Sequence, residues 1–527
     1  MNEHPRDLDS IPIWVPVVLA LVLLVAGAAI PLADPDLPEH LAFGEWIVRH
    51  HAVPFTEPFA WTRAGAPYYA YSWLAETLYY LLFRAGGVVA LGVLHGVALA
   101  TSFLAVWFLG RCARWSDWAT LAIGAATIWL YLIVASHLRP QELLFTLVPL
   151  AWAFGYLILD PARGWRLATV GLVAVSAIAA NVHLFFVLTA LPVWLLLARP
   201  LSAPRWSRAV ALVLAPIAGW LLTPYALAWP AVFRLFFGAN PLLGWPPVIA
   251  ELRPGAFALE GSLAIIPALL ILLALPWSVA GRRTALSRGE TWVYGGLWTA
   301  GVLSFAWAMR FIIVWWLTML PLTGMVFAVI PAARTRGLRF TRVITAFIII
   351  IVPALRLGVL RDLGARDPSV GGQEWRASPR GLPVGTAKVL EPLIAVLERE
   401  PAACGRRIMT AFDFGSYLTW RLPGYSVSED SRGIFPDSVL LPEAYRTTND
   451  GPPRYGAWRT ADIAIIPRAY QLASVLDTAK GWRHVVDASA ATRRSPAAGT
   501  RPTGAGLWVR QARDSCVSLH RRQPVQG

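Results

Sequence analysis

Between residues 11 and 358 the chain repeats one pattern: an apolar run of bilayer length, a short polar or basic connection, then another apolar run. Crossing a ~30 Å hydrocarbon core takes ~20 mostly apolar residues in a helix. Lipid leaves no unpaired backbone group solvated, so such runs fold as helices. The runs fall at 12–33, 88–110, 118–136, 142–159, 165–181, 183–198, 207–223, 259–279, 290–307, 311–331 and 342–358, which predicts about eleven transmembrane helices. Composition agrees, with 56% hydrophobic and only 15% charged residues in 527, and a positive mean hydropathy.

Arginines mark alternate connections. Arg111 and Arg114, Arg163 and Arg166, Arg199, Arg205 and Arg208, Arg282, Arg283 and Arg288, and Arg334, Arg336, Arg339 and Arg342 form one set. The other short connections hold Arg139, no arginine, and Arg310. The positive-inside rule puts the first set in the cytoplasm, with the N-terminus, and the tail after residue 358 outside. The net charge of +15 thus sets topology, and nothing resembles a nucleic-acid module. The mixed-charge start "MNEHPRDLDS" precedes a long run without an A-x-A-like site, which reads as a retained first span.

Residues 165–198 as one helix would be ~50 Å long, beyond the bilayer core. Both flanks are arginine-rich, so the chain crosses twice there, turning at "NVH" (181–183). The transmembrane core is therefore residues 1–358, with long outer loops at 34–87 and 224–258. The end of the first loop, "SWLAETLYYLLFR", is aromatic and amphipathic and suits the interface. Residues 359–527 alternate strand-like runs ("RRIMTAF", "ADIAIIP", "RHVVDAS", "GLWVRQ") with helical ones ("GTAKVLEPLIAVLERE", "YQLASVLDTA"). That alternation predicts a C-terminal extracytoplasmic α/β domain. No internal repeat is visible. Of the three cysteines, Cys404 and Cys516 bracket the outer domain as a disulfide candidate, buried free thiols being the alternative.

Polar groups gather at the outer face on this topology. They are Asp34, Asp36, Glu39 and His40; Trp73 and Glu76; Arg139, Gln141 and Glu142; Asn181 and His183; Arg234, Glu251 and Arg253; and Arg310. Ionisable groups at membrane depth are functional candidates by default. Asp36, followed by Pro38 and Glu39 and then an apolar pattern, reads as an N-cap with a capping box. Its other reading is a general base or metal ligand, with His40 one turn on. Asp34 has no capping duty on this pattern. Arg139, Arg310, Arg234 and Arg253 are either snorkelling anchors or phosphate contacts. Asn181 and His183 either cap helix ends or touch substrate, and His95 reads as a core histidine.

Ordered motifs along the chain resemble one class. "DPDLPEHLAFGEWI" matches D-x-D-x-W-W-H-L-x-x-G-x-W-I at Asp34, Asp36, His40, Gly44 and Trp46, with Pro38 and Glu39 in place of the paired tryptophans. "PFTEPFAWTRAGAPYYAYSWLAE", "RPQ", "NVH", "TPYA", "AMRF", "FDFGSYLTWRLPG" and "EDSR" follow in order. Ser72 stands where an acidic residue is usual, and Thr223 where Asn is common. The pattern resembles the GT-C polytopic glycosyltransferases, which include protein O-mannosyltransferases and lipid A aminoarabinose transferases. The resemblance implies transfer of a hexosyl or pentosyl sugar from a polyprenyl-phosphate donor to an extracytoplasmic acceptor, with inversion. It implies a first-loop aspartate, Asp36 before Asp34, as base or metal ligand, and a divalent metal as candidate cofactor with His40 as a possible ligand. It implies arginine contacts to the phosphate, with Arg139 and Arg310 first. Gln141, Glu251, Asn181, His183, Trp73 and Glu76 would shape the pocket. Two other functions remain open from sequence: a transporter or flippase for a lipid-linked substrate, and a non-catalytic scaffold with a binding outer domain.

Overall fold

The computed structural model describes residues 11–30, 32, 34–134, 138–198, 206–238, 295–297, 299–300, 312–328, 380, 382, 386–399, 405–432, 457–468, 470–489 and 504–510. The first helical part comprises α1 (Trp14–Ala28), α2 (Leu37–His50), α3 (Trp73–Ala113), α4 (Asp117–Val134), α5 (Leu144–Leu159), α6 (Trp165–Ala180), α7 (Trp206–Trp220) and α8 (Ile312–Ala328). Each except α2 begins or ends within a few residues of an expected span or of the interfacial segment before it. The expected spans 259–279 and 342–358, and most of 290–307, lie outside the described residues. Among the described residues, α3 and the stretch Pro140–Leu159 are long and apolar enough to cross a membrane. Shorter apolar helices surround them.

Exposure along the helices runs opposite to that of a water-soluble bundle. On α1, Trp14, Val17, Val18, Leu21, Val22 and Val25 are exposed, whereas Pro16, Ala20 and Gly27 are buried. On α7, Val210, Val213, Leu214 and Ile217 are exposed while Ala209, Leu212 and Ala215 pack inward. Large apolar groups outside and small ones at the contacts suit hydrocarbon surroundings.

Two local features explain how the lengths fit. Forty-one residues make α3 about twice as long as a span needs, and the helix is broken at Gly86 and Gly87. Gly87 has φ +60, which a residue with a side chain adopts at a cost. The break separates the aromatic segment after Trp73 from the apolar segment ending at Ala113. After α6 the chain turns at Asn181–His183 and continues as an 11-residue 3₁₀ helix, Leu184–Trp194, then four α-helical residues, Leu195–Ala198. At ~2.0 Å and ~1.5 Å per residue these cover about 28 Å, so fifteen residues suffice where an α-helix would fall short.

The C-terminal part contains α9 (Ala387–Arg399), β1 (Arg407–Thr410), α10 (Phe412–Arg421), β2 (Ser426–Val427), β3 (Ile463–Pro467), α11 (Gln471–Thr478), β4 (Trp482–Ser489) and β5 (Gly504–Arg510). The sheet order is β2-β1-β3-β5-β4, with β1 parallel to β2 and β3, and β5 antiparallel to β3 and β4. Period-two alternation divides β3 between two cores. Ile463 and Ile465 join Leu390, Leu393, Ile394 and Leu397 of α9. Ala464 and Ile466 join Leu472 and Leu476 of α11 and Trp482 and Trp508. The six runs read from sequence each form the expected element, and α10 and β2 add to them.

The loop between α2 and α3 is stitched to this sheet. Ala60 bridges in parallel to Val427, whose N–H donates to the Phe59 carbonyl at 3.1 Å. The Thr62 hydroxyl donates to the Ser428 carbonyl, and Trp61 Nε1 to the Ile408 carbonyl at 3.2 Å. Leu37, Leu41 and Ala42 of α2 share one apolar cluster with Tyr417, Leu418 and Trp420 of α10.

Candidate active site

Asp34 lies between α1 and α2, and Asp36 sits at the N-cap of α2. The expected capping box does not form: the Asp36 side chain makes no cap hydrogen bond. Its backbone is near-helical (φ −87, ψ −18) rather than extended, so its carboxylate does not turn back onto the first-turn amides. Asp34 does the local work instead, its Oδ1 accepting the Asp36 N–H at 2.7 Å. Glu39 also leaves the box, reaching the hydroxyls of Ser416 and Ser431, both at 3.0 Å.

Arg139 joins the two aspartates. Its Nε donates to Asp34 Oδ2 at 2.6 Å, and its Nη2 lies 3.2 Å from Asp36 Oδ2. The Asp34 side chain has no exposure, and that of Asp36 keeps 24%. Burial pushes the Asp34 carboxyl up to about 6, against the opposing pull of Arg139. Arg139 is set in place from behind. The preceding residue, Leu138, is buried and has φ +58, a conformation rare for a bulky residue. The Arg139 N–H donates to Glu142 Oε1 at 3.0 Å. Glu142 Oε2 accepts from the Tyr131 hydroxyl at 2.6 Å and lies 3.1 Å from His95 Nδ1. Gln141 is buried in the same turn, Pro140–Leu143.

The remaining candidates separate. His40 Nδ1 lies 3.3 Å from Glu76 Oε1. α2 and α3 approach there so closely that a Cβ on Gly44 would meet the Glu76 carbonyl oxygen at 2.1 Å. Trp73 Nε1 donates to Asn181 Oδ1 at 2.6 Å, and the Asn181 amide donates to the carbonyls of Ala177 and Leu222. Asn181 thus ties α3, α6 and the end of α7 together. His183 Nδ1 accepts the Phe185 N–H at 3.2 Å, and Tyr71 packs edge-on against its ring. Arg234 is exposed at the start of the turn Arg234–Gly238. Glu251, Arg253, Arg310, Cys404 and Cys516 lie outside the described residues. Among the described residues no group of three or more His, Cys, Asp or Glu side chains could hold a metal ion.

The "EDSR" segment holds a buried ionic group that no local pattern in the sequence marks. Arg432 donates to Glu57 Oε2 at 2.7 Å, Glu57 Oε1 at 2.9 Å and Asp430 Oδ1 at 2.8 Å. Its guanidinium carbon lies 5.0 Å from the Phe43 ring centre and 4.8 Å from that of Tyr68. Burial pushes Glu39 well up, with the Asp430 charge adding to it. Burial also acts to raise Glu57, but the Arg432 charge, its hydrogen bonds and the amides of Phe59 and Ala60 outweigh it, leaving the carboxyl below its ordinary value. The signal available in the sequence was an acidic residue at 57 and an arginine at 432, 375 positions apart, which only the fold can pair.

No family model matches this chain, and neither does any curated protein. Two crystal structures share its fold: ArnT from Cupriavidus metallidurans bound to undecaprenyl phosphate, and the same protein in the apo state. Each superposes with a TM-score of 0.52 over 97% of this chain and 99% of that chain, at 14% and 13% identity respectively. The likeness is one of fold, and it runs from end to end. The GT-C resemblance carried by the motifs is met by it.

Proposed function

We propose that the protein is a multi-pass inner-membrane glycosyltransferase of the GT-C kind, moving a sugar from a polyprenyl-phosphate donor to an acceptor outside the cytoplasm. The observation that carries this reading is the Asp34–Arg139–Asp36 arrangement on a fold similar to ArnT along its whole length. The ArnT structure bound to undecaprenyl phosphate supports a lipid phosphate as the donor's leaving group. The N-terminus is cytoplasmic and the C-terminal sheet lies outside, as the arginine distribution requires.

The acceptor hydroxyl oxygen attacks the anomeric carbon as the bond from that carbon to the phosphate oxygen breaks. The electron pair leaves on the phosphate, and the acceptor proton goes to the base. Asp36 suits the base: it is the more exposed of the two aspartates and has the longer contact to Arg139. Asp34 is buried and holds the guanidinium by Nε. A phosphate oxygen arriving at Arg139 Nη2 takes the place of the Asp36 carboxylate there. The guanidinium then faces the developing negative charge while Asp36 turns to the acceptor. Arg234, Arg253 and Arg310 are further candidate phosphate contacts, and Glu251, Trp73, Glu76, Gln141, Asn181 and His183 shape the pocket. A divalent ion at Asp36 and His40 is a separate proposal, and no step above depends on it.

The test uses the full chain in lipid nanodiscs with a panel of polyprenyl-phosphate sugars, following release of free polyprenyl phosphate. Release that requires the intact protein supports the reading. Vectorial movement of the lipid without release favours a flippase instead.

A further inference from the structure

The C-terminal part contacts α2 at two points, in its first turn and again in its third. At the first turn, Glu39 accepts from Ser416 and Ser431 and lies 3.8 Å from Arg432 Nε. Arg432 also takes both oxygens of Glu57, in the loop after α2, and packs against Phe43 of α2 and Tyr68 of the loop. At the third turn, Arg380 donates to both Glu45 oxygens, at 2.8 and 2.6 Å, and its guanidinium lies over Trp420 of α10. Asp36 is the residue at the N-terminal end of the helix so held.

A buried arginine shared between carboxylates from distant segments fixes those segments relative to each other. Its fork geometry matches a carboxylate bidentately, and a lysine cannot reproduce both bonds. With Glu57 and Asp430 on one guanidinium, loop 51–72 and the segment 428–432 move as one body. The Glu45–Arg380 fork stops α2 from rotating about that point.

We infer that Arg432 and Arg380 are positioning residues: Arg432, by binding Glu57 and packing on Phe43, and Arg380, by binding Glu45, set the angle at which α2 presents Asp36 to Arg139. The C-terminal sheet then acts as a brace for the first-loop carboxylate, whatever else it binds. The activity arm of this inference rests on the function proposed above, whereas its conformational arm does not.

Hydrogen exchange followed by mass spectrometry on the full chain in nanodiscs tests it, comparing wild type with Arg432→Lys, Arg432→Met and Arg380→Met. The expected result is exchange at least tenfold faster at the first turn of α2 and in residues 51–72, with α5 unchanged. Donor turnover should show kcat down at least tenfold and KM within about threefold, and Arg432→Lys should recover part of the loss seen in Arg432→Met. Arg380→Met, at a partly exposed pair, carries the test if Arg432→Met does not fold. Wild-type protection of α2 in a folded Arg380→Met or Arg432→Met protein overturns the inference, as does faster exchange spread equally into α5. If the wild type turns over no donor, the function reading fails while the exchange result still decides the brace.

Discussion

Removing the Arg139 side chain leaves Asp34 in a site with no exposure and, among the described residues, no other paired cation. Breaking a buried ion pair from one side costs roughly 3–5 kcal/mol. The Asp34 carboxyl, already at about 6 with Arg139 beside it, rises further without it and takes up a proton at pH 7. That escape caps the loss, so Arg139→Met should destabilise by about 3 kcal/mol. Asp34→Asn keeps an oxygen for the Asp36 N–H but deprives the guanidinium of its shortest contact, at a cost of about 1–3 kcal/mol. The double variant should fall short of the sum by about 1–2 kcal/mol, because the second change removes a partner already lost. Arg163→Met is the control: its 3.7 Å contact to Asp160 is at the surface, where such pairs contribute ~0–1 kcal/mol. Reversible unfolding in mixed micelles, followed by the fluorescence of the 26 tryptophans, reads all four. If Arg139→Met costs no more than Arg163→Met and the double variant is additive, Asp34 and Arg139 are not paired in the folded protein.

The raised Asp34 value also sets a pH dependence. Its folded value of about 6 lies above the unfolded 3.8, so the neutral form stabilises the fold, and that contribution is lost as pH rises through about 6. Unfolding measured from pH 4 to 8 should show a steeper fall in stability between about pH 4 and 6 in wild type than in Asp34→Asn, which keeps the contribution of the raised Glu39. Gly44→Ala should unfold several degrees lower or fail to express, because its Cβ meets the backbone oxygen of Glu76, and Trp46→Phe, two residues on and on another face of the helix, serves as a tolerant comparison. Chelation by EDTA should leave donor turnover unchanged, because the proposed steps run on the Asp36 and Arg139 side chains; loss of turnover on chelation, restored by a divalent ion, would refute that.

The described helices were legible because apolar runs are local signals, and the span expected to start at residue 88 begins where α3 breaks at Gly86 and Gly87. The capping duty expected of Asp36 is absent, and Asp34 takes the Asp36 N–H instead. Capping depends on the backbone angles at Asp36, and the D-x-D-x-P-E pattern does not encode the near-helical turn that points its carboxylate at Arg139. Arg139 reads as a snorkelling anchor or a phosphate contact, and it meets two carboxylates 105 and 103 positions earlier, a pairing only the packed bundle creates. The same holds for Glu57 with Arg432 and Glu45 with Arg380: each charge was visible, and each partner lay hundreds of residues away. The 3₁₀ stretch at Leu184–Trp194 was invisible in composition.

The central claim is that Asp36, exchanged off Arg139 by the donor phosphate, takes the acceptor proton. Single-turnover release of polyprenyl phosphate from a bound donor, in wild type and Asp36→Asn, tests it most directly. The account predicts a loss of at least about 100-fold in Asp36→Asn, with donor affinity unchanged or tighter because the carboxylate no longer competes for the guanidinium. Asp36→Asn releasing polyprenyl phosphate at the wild-type rate would contradict it.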